Sequence, residues 1–389
     1  MLALRLARGS HPLVLLRRLL VAAASAGVGF LLLSALGYAI GHPGESRAAL
    51  VRLAWCALPL AATVHLAVAV ARTDPATRPR PGLSAIGLGP ARLAAVAAAS
   101  TAVACVLGST TALLVFLHLR GDLTGLPFDG ASGELLGAGR PLPVAAALTL
   151  LAVVPVVASA ACALALRPRR KAVLDDDPDT DTPAAAAPPA GLPWGVALVA
   201  LGVAVETYTA RGASGGAAAL PLPGGLGGGP AGVLLGWALT AVGLAVAGPG
   251  LTHLTGRLLQ VFRPGVTRLL AGRALMAEAR RIGRPLGVAC AVASATIGAT
   301  TLYEGGARAF GPLTGLGAAL VVTCTVATLL TAALESRQTR VSTKDALLRL
   351  GASASVLRMA VTLRAVALLA VFAPLTWAVA ELAALPLRP

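Results

Sequence analysis

The chain has 389 residues, of which 57% are hydrophobic and 12% are charged, and its mean hydropathy is +0.81. These values exclude a soluble globular domain and predict an all-α, polytopic transmembrane helical bundle, because backbone in lipid must satisfy its own hydrogen bonds. The net charge of +16 comes from 30 arginines and only 2 lysines against 16 acidic residues. Such a charge is common in nucleic-acid-binding proteins, but here the basic residues follow the loops, so no nucleic acid is expected as a partner.

Nine apolar runs are long enough to cross a hydrocarbon core of about 30 Å. They lie at 19–40, 53–71, 93–118, 142–166, 193–210, 231–252, 285–302, 312–334 and 359–385. The segments between them alternate in charge, with 24 basic residues on one side and 7 on the other. Since basic segments stay in the cytoplasm, this predicts a multi-pass protein of the cell (plasma) membrane with a cytoplasmic N-terminus.

The polar residues inside these runs form no catalytic constellation, so we expect no enzyme activity, no metal and no cofactor. All five cysteines lie within apolar runs, which predicts small buried side chains rather than disulfides or ligands. Glu206 is predicted at the membrane interface, near the outer end of the fifth run, and His65 lies in the middle of the second run.

The most polar helix-forming stretch runs from Glu335 to Arg358, between the last two apolar runs, and is called the elbow below. Ser342 is predicted to cap a short amphipathic helix that ends at Gly351, a residue suited to the left-handed position after a helix. Ser353 or Ser355 would start the next helix. The pattern favours a helix at the membrane surface, and the alternative is a solvated loop. Three leucines lie on this helix, Leu347, Leu348 and Leu350.

A weaker copy of the elbow lies at 83–92. Aligning Gly87 with Gly351 gives a shift in residue number, called the repeat offset below, that also brings the first two apolar runs onto the seventh and eighth. One offset shared by several features predicts two related units. The copy is interrupted by prolines, so it is expected to form a second, weaker coupling segment, with Leu83, Ile86, Gly87 and Arg92.

The order of these segments resembles the FtsX-like permease domain of ABC transporters. Two spans are followed by a basic segment with a short helix ending in L-G-A-S, and then by a further span. The resemblance is carried by the charged residues 335–340, by ALLRLGAS at 346–353, and by Arg358. The segment A-x-R-A-L-x-x-x-x-R-R at 271–281 is also similar to the family's segment before the helix. The likeness covers 1–166 and 264–385.

The resemblance implies a permease subunit that couples ATP hydrolysis to transport of, or mechanical work on, an unknown lipophilic substrate. The ATP would be hydrolysed by a separate cytoplasmic ABC-type ATPase, expected as a homodimer, because this chain has no G-x-x-x-x-G-K-[ST] motif. Membrane lipid is the other expected partner, since the leucines of the elbow can equally face lipid headgroups. The implied ATPase-coupling residues are Glu335, Arg337, Arg340, Lys344, Asp345, Leu347, Leu348, Arg349, Gly351 and Ser353.

Four parts of the chain are expected on this basis. They are a first FtsX-like transmembrane unit at 1–166, a disordered cytoplasmic linker at 167–192, a joining helix pair at 193–256, and a second unit at 257–389. The outer loops are too short for the large outer domain that the family often has. A counterpart of the fourth span would fall beyond residue 389, so the second unit is expected to lack its last helix, unless the chain has ten spans.

Two other functions remain open. One is an ion-coupled secondary transporter in which His65 or Glu206 binds the coupling ion. The other is a non-transporting membrane protein, such as an immunity or assembly factor.

Overall fold

The computed structural model describes residues 12–74, 90–123, 130–167, 189–212, 219–220, 229–261, 265–304, 311–351 and 353–384. These residues are almost wholly helical, which confirms the all-α class. A single two-residue antiparallel ladder joins β1 (Ala219–Leu220) to β2 (Gly229–Pro230). The helices are α1 (Pro12–Gly41), α2 (Ser46–Trp55), α3 (Ala57–Thr73), α4 (Pro90–Arg120), α5 (Gly133–Leu136), α6 (Val144–Ala165), α7 (Gly191–Gly212), α8 (Ala231–Leu258), α9 (Val266–Glu304), α10 (Pro312–Thr339), α11 (Val341–Arg349) and α12 (Ala354–Ala384).

The predicted apolar runs all fall on helices, and the protein is a multi-pass membrane protein. Eight helical segments in the described ranges are long and apolar enough to cross a membrane, with α2 and α3 counted together as one. The seventh predicted run, 285–302, lies within α9, whose side chains from 299 onward are outside the described residues. A count of nine spans therefore stays a prediction.

The helices pack into two compact units. The first contains 1–172 and 310–328, and the second contains 173–309 and 329–389. This grouping follows packing contacts, whereas the predicted division into two related halves follows sequence similarity, so that division stays a prediction. The linker residues 168–188 and the weaker elbow copy at 83–89 lie outside the described residues.

The first unit is organised around the contact between α1 and α4. Ser25 Oγ donates a hydrogen bond of 2.9 Å to the carbonyl oxygen of Cys105, and Gly108 lies against the backbone of Ala22. A side chain at Gly108 would collide with that backbone, so the glycine permits the close approach. All five cysteines are free and buried, as predicted.

The second unit contains a similar helix pair, α9 and α12. Ser294 Oγ donates a 3.0 Å hydrogen bond to the carbonyl oxygen of Thr376, 82 residues later, while Ser25 and Cys105 are 80 residues apart. The two units thus each contain a helix pair joined by a serine hydroxyl, although these hydrogen bonds lie several residues away from the repeat offset.

Helices α7, α8 and α9 approach one another through glycines. A Cβ atom at Gly202 would lie 2.7 Å from the carbonyl oxygen of Gly236, and one at Gly243 would lie 2.8 Å from that of Gly195. Such small residues let helix backbones touch. In lipid, where the hydrophobic effect does not bring helices together, this close packing stabilises their association. The α7–α8 pair is therefore packed through its backbone.

This packing determines the environment of Glu206. Its side chain is fully buried within the protein, with 0% exposure. Gly236 leaves the space that the Glu206 side chain fills, and Thr240 Oγ1 donates to Glu206 Oε1 at 3.4 Å. The position of Glu206 along its run does not reveal this burial, because the facing glycine on α8 decides it, and the depth of Glu206 in the membrane stays a prediction.

The glycine contacts generate a stability prediction. Gly243→Ala places a methyl group 2.7 Å from the backbone nitrogen of Val199, and overpacking of this kind costs about 1–3 kcal/mol. The matched control is Gly315→Ala in α10, where an added Cβ meets nothing within 4 Å. We expect Gly243→Ala to lower the thermal unfolding midpoint in detergent and Gly315→Ala to leave it unchanged or raise it. Equal midpoints for the two variants would contradict backbone packing at Gly243.

Candidate functional site

The elbow contains the predicted short helix, α11, between two long helices. Helix α10 does not stop where its apolar run ends at 334 but continues through Glu335 and Arg337 to Thr339. After one turn residue, Arg340, α11 begins at Val341. The segment is therefore helical on both sides of Arg340, which excludes the alternative of an irregular solvated loop.

The start of α11 differs from the prediction. Arg340 occupies the N-cap position and makes no side-chain capping hydrogen bond, while Ser342 lies within the first turn. The capping prediction from Ser342 was therefore wrong. The reason is that α10 ends only one residue earlier, so the chain enters α11 from an almost continuous helix rather than from an extended segment.

The end of α11 is as predicted. The backbone N–H groups of Leu350 and Gly351 donate to the carbonyl oxygens of Ala346 and Leu348, each at 3.1 Å. Gly351 has φ +87°, and a Cβ there would meet nothing within 4 Å. Its left-handed backbone, rather than lack of space, is what requires glycine at this position. Helix α12 then begins at Ala354, after Ser353, whose Oγ lies 3.0 Å from that of Ser355.

The surface of α11 presents apolar side chains beside charges. Leu350 is 84% exposed, Val341 54% and Leu348 39%, and the charged residues Asp345 and Arg349 are exposed too. Isolated exposed leucines are common, but several on or beside one short helix form a surface that a partner or lipid can cover. The side chains of Lys344 and Leu347 are outside the described residues.

Arg340 does not project freely from the elbow. Its Nε and Nη2 atoms pair with the two carboxylate oxygens of Glu278 on α9, and Ser336 Oγ donates to Glu278 Oε2 at 3.1 Å. The Glu278 side chain is only 12% exposed. We call these three residues the α9–α10 clamp. It fixes the end of α10, and hence the entry to α11, on α9.

Sequence reasoning missed Glu278, although a signal for it exists. Glu278 is the only acidic residue between 266 and 284, a stretch that contains five arginines. An isolated acid within a basic segment indicates a specific basic partner. Hydropathy does not reveal which one, because Arg340 lies far along the chain, beyond a further transmembrane helix.

The first unit has an ion pair at a comparable position, between α1 and the end of α3. Arg18 on α1 and Asp74, the residue after α3, are 2.7 Å apart. Shifted by the repeat offset, these two positions fall within about one helical turn of Glu278 and Arg340. The charges are exchanged, since the first helix carries the base in one unit and the acid in the other. Of the weaker coupling segment, only Arg92 is described, and it is exposed on α4.

The α9–α10 clamp predicts a measurable coupling. Glu278→Gln and Arg340→Gln should each destabilise the protein, and the double variant should lose less than the two losses combined, because both remove the same pair. We expect a coupling of about 1–2 kcal/mol in a double-mutant cycle of unfolding in detergent. The same cycle with exposed Arg349→Gln in place of Arg340→Gln is the control and should show no coupling. Additive effects of Glu278→Gln and Arg340→Gln would contradict the clamp.

Comparison with known proteins identifies no family for this chain. No family model, no curated protein and no solved structure matches it. The FtsX-like resemblance therefore depends on the residues of the elbow and their spacing.

Proposed function

We propose that this chain is the membrane subunit of an ABC-type transporter of the FtsX-like kind, coupled to a separate ATPase that docks at the elbow. The ATPase hydrolyses ATP in the cytoplasm and closes as it does so. The membrane subunit uses this closure of the ATPase to act on a lipophilic, membrane-resident substrate. The observation that carries this proposal is α11, a short helix with exposed leucines and charges between two long apolar helices.

The α11 surface suits a protein partner for a physical reason. Burying an exposed leucine on binding is favourable, and flanking charges such as Asp345 and Arg349 select a partner with complementary charges. Gly351 ends α11 with a left-handed backbone three residues before α12 begins, and the α9–α10 clamp holds the other end of α11. Force applied to α11 would therefore reach α9 and α12 without first bending a loose loop.

The topology proposed with this function has a cytoplasmic N-terminus and nine, or with a further helix ten, spans in a bacterial plasma membrane. Its support is the charge difference of 24 against 7 between the two sets of connecting segments. The repeat offset shared by the elbow and the first two apolar runs supports two related units. In this topology the elbow lies in the cytoplasm, on the side where ATP is available.

A second candidate, ion-coupled secondary transport, is favoured by one observation. Glu206 is fully buried, and its Oε2 makes no hydrogen bond within the described part of the chain. Ionisable residues inside membranes commonly mark ion or proton pathways. Ion-coupled transport gives the elbow no role, and for that reason this function is the second candidate.

The docking proposal is tested by reversing the charge of three basic residues of the elbow. The proposal predicts that a Walker-motif ATPase is encoded by a neighbouring gene. Arg337→Glu, Lys344→Glu and Arg349→Glu, combined, should abolish co-purification with that ATPase, because docking would then meet repulsion. Arg340 is left intact, since it belongs to the α9–α10 clamp. The readout is the amount of ATPase recovered per membrane subunit from detergent extracts.

The matched control reverses three arginines that the sequence places on the opposite side, Arg47, Arg211 and Arg308. This variant should recover the ATPase at the wild-type level. If the elbow variant recovered as much ATPase as the wild type, or if both variants lost the ATPase equally, the docking proposal would be contradicted.

The second candidate is tested at Glu206. Glu206→Gln keeps the shape and the hydrogen bond from Thr240 but cannot ionise. Proton uptake by proteoliposomes is followed with a pH-sensitive dye while lipophilic compounds are added without ATP. We expect no compound-dependent uptake by the wild type. An uptake that Glu206→Gln abolishes would favour ion coupling over the ATPase-driven function.

A further inference from the structure

The first half of α9 extends beyond the part of the helix that can lie in hydrocarbon. Helix α9 has 39 residues, and at 1.5 Å per residue it is roughly 58 Å long, about twice the thickness of a hydrocarbon core. Its apolar run begins at Pro285. The residues before Pro285 therefore lie at the headgroups or beyond them.

One face of this half is held against α8. A Cβ at Gly272 would lie 2.5 Å from the carbonyl oxygen of Gly256, and Gly283 touches the backbone of Pro249. Leu275, between these contacts, is 2% exposed. The helix cannot rotate about its axis without breaking these contacts, so the direction of its exposed surface is determined.

The exposed surface of this half of α9 carries arginines, about a quarter of a turn round the helix from the face that packs on α8. Arg273, Arg280 and Arg284 are all exposed and are separated by seven and four residues, which places them on one side of a helix with 3.6 residues per turn. Arg281 is exposed beside them. The last three arginines rise only about 6 Å along the axis and stop directly before the apolar run.

The charge of this group is not balanced by its own helix. Glu278, the only acid in the first half of α9, points to another side and is bound by Arg340. Within the described ranges, no carboxylate forms an ion pair with Arg280, Arg281 or Arg284. Among the described residues, the three guanidinium groups thus share one exposed surface and have no ion-pair partner.

We propose that Arg280, Arg281 and Arg284 form a binding site for the phosphate headgroup of an anionic phospholipid. Guanidinium groups bind phosphate oxygens through paired hydrogen bonds, and a lipid phosphate lies at the boundary between apolar chains and water, where these arginines lie. A soluble acidic partner would approach the whole arginine face, including Arg273, roughly 16 Å from Arg284 along the helix. The position of the cluster against the apolar run favours a lipid.

The expected preference is large enough to measure. An arginine near an anionic membrane surface contributes a factor of about five in affinity, so three together contribute about a hundredfold. The attraction is electrostatic, and it should weaken as salt is added. This site is independent of the proposed ATPase docking, which uses residues of the elbow.

The test measures binding of short-chain lipids to the full-length protein in a neutral detergent. Dioctanoyl phosphatidylglycerol, dioctanoyl phosphatidylcholine and inorganic phosphate are titrated in turn against the fluorescently labelled protein. We expect the wild type to bind phosphatidylglycerol at least tenfold more tightly than phosphatidylcholine, and to bind free phosphate weakly. The variant R280Q/R281Q/R284Q should lose this preference. An unchanged preference in that variant, or free phosphate bound as tightly as phosphatidylglycerol, would overturn the proposal.

Two controls separate the lipid site from general charge and from a soluble partner. R337Q/R349Q/R358Q removes the same number of exposed arginines from the elbow and should keep the preference. R273Q should also keep it, because Arg273 lies too far from the cluster to share one headgroup. If either control lost the preference as fully as the triple variant did, the three arginines would not form a site of their own.

A measurement on the wild type guards against misfolding of the variants. A photoactivatable phosphatidylglycerol is incorporated into nanodiscs with the protein, and cross-linked peptides are identified by mass spectrometry. We expect cross-links at residues 280–288, competed by unlabelled phosphatidylglycerol but not by phosphatidylcholine. Cross-links confined to other helices, or competed equally by both lipids, would reject the site.

Discussion

Contact between helix backbones at small residues is the interaction on which this structure depends. Lipid chains are as apolar as leucine, so helices in a membrane gain little from hiding apolar side chains and associate through close packing instead. Gly202 with Gly236 and Gly195 with Gly243 bring α7 onto α8, and Gly256 with Gly272 brings α8 onto α9. These contacts fix the rotation of α9. The directions of Glu278 and of the exposed arginines on α9 follow from that rotation.

Ion pairs at the helix ends complement this packing. Arg18 with Asp74 joins α1 to the end of α3, and Glu278 with Arg340 joins α9 to the end of α10. An ion pair deep in hydrocarbon would lose much of its gain to desolvation, whereas a half-buried pair at the end of a span keeps partial contact with water. Exchange of the charges between the two segments preserves the contact, because attraction does not depend on which helix carries the acid.

The α9–α10 clamp also limits which residues of the elbow are available to a partner. Arg340 is engaged within the chain, so it positions α11, and the exposed residues for a partner are those beyond it, such as Leu348, Arg349 and Leu350. The arginine cluster on α9 lies on a different side of that helix from Glu278. We therefore propose different partners for the two basic surfaces, a protein for the elbow and lipid for the α9 cluster.

The sequence alone determined the features that depend on neighbouring residues. Hydropathy located the long helices, and Gly351 marked the end of α11, because helix periodicity and left-handed backbone are local properties. Only the tertiary structure decided that Glu206 is fully buried, that Glu278 binds Arg340, and that Ser342 does not cap α11. Each of these outcomes depends on how one helix meets another, and residues distant in sequence, such as Gly236 opposite Glu206, determine it.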